Sequence, residues 1–359
     1  MAALLLFLTL PSAHAAGPPV SEQVRQLLLA GQPDQAAELL EAHREHEELD
    51  PVEIAVLDGL IAQQRGQDAE AVWLLRHALE LQPERVSVHL YLAQSLHALG
   101  QPEACHRELL AGEGAGESLP AYFALRARVE QDLGRLPDAF HTTARDLELH
   151  PEAVLLAREQ ALVLLRLGLL EAAREPAHRY LAARPEDPAA WLLLAEALRR
   201  AGDLSRANLL LEQAMLRFPA DVEVVSRLAY GYALAGQPVA ATRLFLRAQA
   251  IEPRFAFEIA EQERVAGHPV RALHFNAEVA DEPRKLGQRL GIYVGMERWD
   301  LAASLLPLLR DQPWLDDTQR YQLACACHLT GRDEEVRELA EDITDPWLAE
   351  GVGELSGSP

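Results

Sequence analysis

The chain has 359 residues, of which 49% are hydrophobic and 25% charged, a globular composition that excludes both an extensively disordered chain and a multispan membrane protein. Lys and Arg number 33 against 55 Asp and Glu, and the formal charge of -22 opposes binding to phosphate backbones and anionic lipid surfaces. Neither nucleic acid nor a bare membrane is expected as a main partner. Three cysteines (Cys105, Cys325 and Cys327) are too few for a disulfide framework and wrongly spaced for structural zinc. Ala, Leu, Glu and Arg dominate, and no stretch has the β-branched alternation of a sheet.

At the N-terminus, Ala2 to Leu10 form an uncharged apolar run that Pro11 breaks, and Ala13-His14-Ala15 supplies small residues of the kind a signal peptidase requires. Residues 1–15 therefore read as an export signal cleaved after Ala15, which places the mature protein in the periplasm. The run is far shorter than the roughly 20 residues of a membrane-spanning helix, so no membrane insertion is expected once it is removed. No Lys or Arg follows Met1, which an upstream start codon would explain. The alternative is an apolar N-terminus packed on the first helix, with the protein in the cytoplasm.

Beyond it, glycines recur at Gly31, Gly66, Gly100, Gly134, Gly168, Gly202 and Gly236, with one step of 35 residues and then five of 34. Pro83, Pro151, Pro185, Pro219 and Pro253 each follow one of these glycines by 17 residues. Small residues 12 apart flank the glycines in the same register, at Gly59 and Ala71, Ala93 and Cys105, Ala127 and Ala139, Ala161 and Ala173, Ala195 and Ala207, and Ala229 and Ala241. This predicts units of two helices of roughly 13 residues each, turned by a left-handed glycine. The small pair lets the helices touch, larger side chains fill the flanks, and a proline forces the chain on to the next unit. A single pair cannot bury its apolar face, so neighbours must stack.

The pattern resembles the tetratricopeptide repeat. Residues 188–221 carry it best, with Trp191, Leu194, Ala195, Leu198, Gly202, Ala207, Leu211, Ala214 and Pro219 in place. The resemblance implies an all-α fold, a right-handed α-solenoid of about ten helix-turn-helix units. Regular repeats are expected over 20–253, about seven units. Degenerate pairs are expected over 254–346, turned at Gly267, Gly295 and Gly331 and ended by Pro283, Pro313 and Pro346, and a mobile tail over 347–359. The run Ala111 to Ser118, rich in glycine, is expected to shorten its helix and insert a flexible loop.

Catalytic signatures are lacking: there is no Gly-x-Ser-x-Gly elbow, His-Glu-x-x-His, P-loop or dinucleotide fingerprint. Cys325-Ala326-Cys327-His328 has one residue between its cysteines where covalent haem needs two, and on a helix those thiols lie about 200° apart. They are read as small helix residues, with Cys327 interior. His43 and His46 sit among acids that suit a solvated face. Asp316, Asp317, Glu334 and Glu335 suit first-turn positions of helices. No enzyme activity, metal or cofactor is expected.

In tetratricopeptide proteins the first helices line a concave groove through positions 2, 5, 9, 12 and 13. The resemblance places Arg128, Arg158, Arg166, Arg199, Arg200, Arg264 and Arg289 there, with Tyr230 and Phe257. Guanidiniums bind carboxylates in bidentate fashion, which points to a protein partner's acidic or extended segment. The competing reading is that these arginines pair with Asp132, Glu196 and Glu261 of their own helices. The final third narrows the resemblance. The segments 272–279, 285–293, 315–324 and 343–348 are similar to exported tetratricopeptide proteins of proteobacteria found with TonB, ExbB and ExbD, although the basic terminal helix expected of them is missing. That implies a periplasmic, non-catalytic scaffold serving a TonB-dependent system. An adaptor for polysaccharide export or outer-membrane assembly is a second reading, and a cytochrome-maturation factor or helical-repeat enzyme a third.

Overall fold

The computed structural model describes residues 19–44, 49–116, 119–150 and 152–355. The export signal read at residues 1–15, and His46 with the acids around it, lie outside the described residues. Among the described residues there are 23 helices and no strand.

The described chain divides into two compact units between Ala201 and Gly202. The first contains α1 (Val20–Leu29), α2 (Pro33–Ala42), α3 (Pro51–Gln64), α4 (Asp68–Leu81), α5 (Val86–Ala98), α6 (Pro102–Ala111), α7 (Glu113–Gly116), α8 (Pro120–Asp132), α9 (Leu136–Leu149), α10 (Val154–Arg166), α11 (Leu170–Ala183) and α12 (Pro188–Arg200). The second contains α13 (Leu204–Arg217), α14 (Val222–Leu234), α15 (Pro238–Ile251), α16 (Ala256–Val265), α17 (Pro269–Glu278), α18 (Glu282–Gly295), α19 (Trp299–Ser304), α20 (Leu306–Leu309), α21 (Asp317–Leu329), α22 (Asp333–Glu341) and α23 (Pro346–Leu355). Within each unit, helices pack mainly on their sequence neighbours, as a stack of hairpins requires.

The predicted turn chemistry is present. At Gly134, φ is +73°; its N–H donates to the Gln131 carbonyl at 3.0 Å, and the next N–H donates to Glu130 at 2.8 Å. That Schellman pair closes α8 and permits α9 to start at Leu136. Prolines at the first turn or Asp caps start many helices, for example Asp221 accepting from the Val224 N–H at 2.9 Å. The small pairs are buried at their crossings: Ala127 with Ala139, Ala161 with Ala173, and Ala229 with Ala241 are all 0% exposed. Cys105 replaces an alanine in this role, and its thiol donates to the Ala93 carbonyl at 3.1 Å.

Four expectations are corrected. The second degenerate turn is not made by Gly295, which ends α18; Glu297 takes the left-handed conformation at φ 56°. Pro283 and Pro346 stand in the first turns of α18 and α23 and start helices there, not end units. Within the expected loop, Glu113–Gly116 form the one-turn helix α7 after a turn at Gly112, and residues 117–118 lie outside the described residues. Glycine is needed there for packing, since a Cβ on Gly112 would lie 2.5 Å from Leu90 Cδ2, and one on Gly116 2.4 Å from Tyr122 Cδ2. The tail is helical as far as Leu355, packed on α21 and α22 with Val352 fully buried; residues 356–359 lie outside the described residues.

Candidate protein-binding site

Counting from the left-handed residue of each hairpin as position 15, the concave positions of the first unit converge on one cleft of about 660 Å³. Leu28, Ala121, Ala124, Leu125 and Leu155 give it an apolar bed, and Gln63, Gln64 and Gln94 bring side-chain amides to it. Gln63 is 2% exposed. Its Nε2 donates to the Tyr91 carbonyl at 2.6 Å and to Ser95 Oγ at 2.7 Å, and Gln64 Nε2 donates to the Leu28 carbonyl at 2.5 Å. The Oε1 atoms of both glutamines are buried without a partner, and so are both amide atoms of Gln94. A buried polar atom left without its hydrogen bond costs about 1–3 kcal/mol, so these amides are poised to pair with a ligand.

Both arginines at this cleft are paired with carboxylates of the chain. Arg65 Nη2 lies 2.7 Å from Asp34 Oδ1, and Arg128 Nη2 lies 2.6 Å from Glu159 Oε1. Burial, helped by the nearby Arg128 charge, pushes the His97 pKa down, which favours the neutral ring. An apolar floor with orphan amide donors and acceptors matches a peptide main chain with apolar side chains better than it matches a carboxylate.

The predicted groove residues fall into two sets. In the first unit, Arg128 and Arg158 both donate to Glu159 Oε1 at 2.6 Å, and Glu159 is itself 1% exposed. Arg166 donates to the Gln131 carbonyl at 2.8 Å, Arg199 forms a two-pronged bond to Glu196 at 2.8 and 2.7 Å, and Arg200 is exposed. In the second unit, the Tyr230 hydroxyl donates to Glu258 at 3.2 Å, Phe257 lies 3.9 Å beneath the Arg284 guanidinium, and Arg264 grips Glu261 at 3.1 and 2.5 Å. Burial would raise the Glu261 pKa, but Arg264 holds it below the usual carboxylate range.

The pairing expected with Glu196 and Glu261 is therefore present, whereas Arg128 pairs with Glu159 and not Asp132. An acidic ligand would have to displace these internal carboxylates. Arg289 is not a groove residue: its Nε donates to Asn276 Oδ1 at 2.9 Å. The cause is the turn at Glu297, which shifts the register of α18 by two. In the corrected register Arg284, Gly287, Gly291, Val294 and Gly295 are the concave residues, and they line a cleft of about 660 Å³ in the second unit together with Phe257, Arg264 and Trp314.

All three cysteines are free. Among the described residues no helix is long and apolar enough to cross a membrane.

Residues 188–231 match the tetratricopeptide repeat family. A tetratricopeptide repeat protein from Parabacteroides merdae ATCC 43184 superposes with a TM-score of 0.51 at 16% identity, covering 68% of this chain and 96% of that one. The fold is that of tetratricopeptide repeat proteins. PilW, described as a widely conserved type IV pilus biogenesis factor, gives 0.51 at 16% identity over 58% of this chain and 96% of its own. MamA from Desulfovibrio magneticus RS-1 gives 0.44 at 19% identity, with 47% and 96% covered. No curated protein matches the sequence.

Proposed function

We propose that the protein is a non-catalytic scaffold that holds an extended, largely apolar segment of a protein partner in the cleft of its first unit. The observation that carries this reading is the set of buried, unpartnered amide atoms of Gln63, Gln64 and Gln94 above an apolar floor. A peptide main chain supplies one donor and one acceptor per residue, which is what such amides lack. Arg128 at the edge of the cleft, with Arg158, Arg166, Arg199 and Arg200 on the following first helices, contributes orientation by exchanging internal partners for groups of the bound segment.

The partner we infer is a periplasmic component of a TonB-type system, including TonB, ExbB or ExbD. This rests on the resemblance of the final third and on the export signal read at residues 1–15. A photo-crosslinking amino acid at Ala124, in the cleft floor, tests the reading in cells of the native host. The expected result is one dominant protein adduct, reduced by Gln64→Ala with Gln94→Ala. Absence of any adduct would refute the cleft as the working surface. An adduct with a protein outside the TonB machinery would keep the scaffold and discard that partner.

A further inference from the structure

A separate cavity of about 300 Å³ opens in the first unit between α6, α7, α8 and α9. It lies beside α6, which like α2 has 10 residues, whereas the second helices α4, α9 and α11 have 14 each. Four carboxylates line it (Glu113, Glu130, Asp138 and Asp146) against two guanidiniums (Arg126 and Arg145), and Phe123 forms part of the wall.

Most of these groups already have partners. Arg126 Nε donates to Glu130 at 3.0 Å and its Nη1 to Glu113 at 3.0 Å, while Thr142 donates to the other Glu130 oxygen at 2.8 Å. Asp146 is different. It is 2% exposed, and none of the cations around it is hydrogen-bonded to its carboxylate. Burial pushes its pKa up, and Arg145, His150 and Arg126 act on it only through space. His106 Nδ1, on the opposite wall, is also buried and unpartnered. A buried carboxylate without a hydrogen-bonded cation, in a cavity with excess negative charge and an aromatic wall, is complementary to a compact cation with several N–H groups.

We propose that this cavity binds an organic cation, a guanidinium or primary ammonium group, with Asp146 as its counter-charge. The volume suits an arginine side chain or a small free amine, and the two sources are distinguished by the probe that binds better. Isothermal titration of the full chain with agmatine, and with a blocked Gly-Arg-Gly peptide, tests the proposal. One-to-one binding of at least one probe is expected. Tighter agmatine binding would identify a free amine as the ligand, and tighter peptide binding a partner's arginine.

Asp146→Asn should weaken binding about tenfold, or about 1.4 kcal/mol. It should also raise the melting temperature, because it removes an uncompensated buried charge. A merely structural aspartate would not couple a gain in stability to a loss of binding. Arg145→Glu, at an exposed position, should tighten binding. Failure of both probes to bind, or equal affinity in Asp146→Asn, would overturn the proposal. If Asp146→Asn does not fold, Arg145→Glu decides: unchanged or weaker binding overturns it.

Discussion

Glu297 carries a backbone conformation that nine glycines adopt elsewhere among the described residues, with φ at 56°. Its N–H donates to the Val294 carbonyl at 3.0 Å and the Arg298 N–H to Tyr293 at 3.0 Å, the same Schellman closure as at Gly134. The hairpin thus needs the geometry whichever residue is present, and a residue with a Cβ strains there by roughly 1–2 kcal/mol. Glycine also loses more backbone entropy on folding, which takes back about 0.4–1 kcal/mol. Glu297→Gly should therefore stabilise the second unit by about 0.8 kcal/mol, the difference between the midpoints of those two ranges. With a urea slope of about 1–3 kcal/mol per molar, the midpoint should rise by a few tenths of a molar at unchanged slope. Tryptophan fluorescence is a suitable assay, because Trp299 and Trp314 pack against the core that α18, α19 and α21 share. A midpoint that stays or falls in Glu297→Gly would mean that the glutamate side chain contributes more than its backbone strain removes, and the turn argument would fail.

Gly59→Ala in α3 should destabilise by about 1–3 kcal/mol as overpacking, because its Cβ would lie 2.8 Å from Cγ of the fully buried Leu75; thermal unfolding measures it. Burial pushes the Cys105 thiol up to about 12 and the Cys327 thiol up to about 11. With thiolates so disfavoured, both should resist Ellman's reagent at pH 8 until the protein unfolds, leaving half-buried Cys325 to react first. Burial holds the folded-state pKa of Asp146 above the ordinary 3.8. The folded protein thus retains a proton that the unfolded chain has lost, so stability falls as pH climbs from about 3.8 through the folded value. Melting curves of the native chain and of Asp146→Asn, compared across that window, should diverge with rising pH in favour of the variant.

The hairpin array was legible in the sequence because its geometry demands particular residues. A left-handed turn after each first helix asks for glycine, and a close helix crossing asks for Ala, Gly or Cys, so spacing alone located both. Legibility ended where geometry was met by another residue or where glycine served another purpose. Gly295 lies two positions before the true turn and looks like a member of the series, yet it is helical and faces a cleft. Gly112 and Gly116 read as a flexible insertion, but they clear space for Leu90 and Tyr122. Gly351 reads as a tail residue and instead lies against Tyr321, where a Cβ would come within 3.0 Å. A glycine that bends the chain and a glycine that admits a neighbour are identical in sequence.

The candidate cleft was half legible, for a related reason. In the register that selected Arg128, Gln63, Gln64 and Gln94 occupy positions 12, 13 and 9 of their repeats, and all four line the cleft of the first unit. Selecting by charge favoured arginine, but a charge advertises itself equally whether it is free or neutralised, and Arg128, Arg199 and Arg264 each have a carboxylate within 2.7 Å. The partner of Arg128 lies on another first helix, 31 residues away, where no rule of helical spacing points. The feature that distinguishes a waiting site from a satisfied one is an absent hydrogen bond, and it exists only once the helices are stacked. On that criterion the cleft's neutral amides rank above its arginines, because a ligand that pairs with them displaces nothing, whereas one that recruits Arg128 must first break its bond to Glu159.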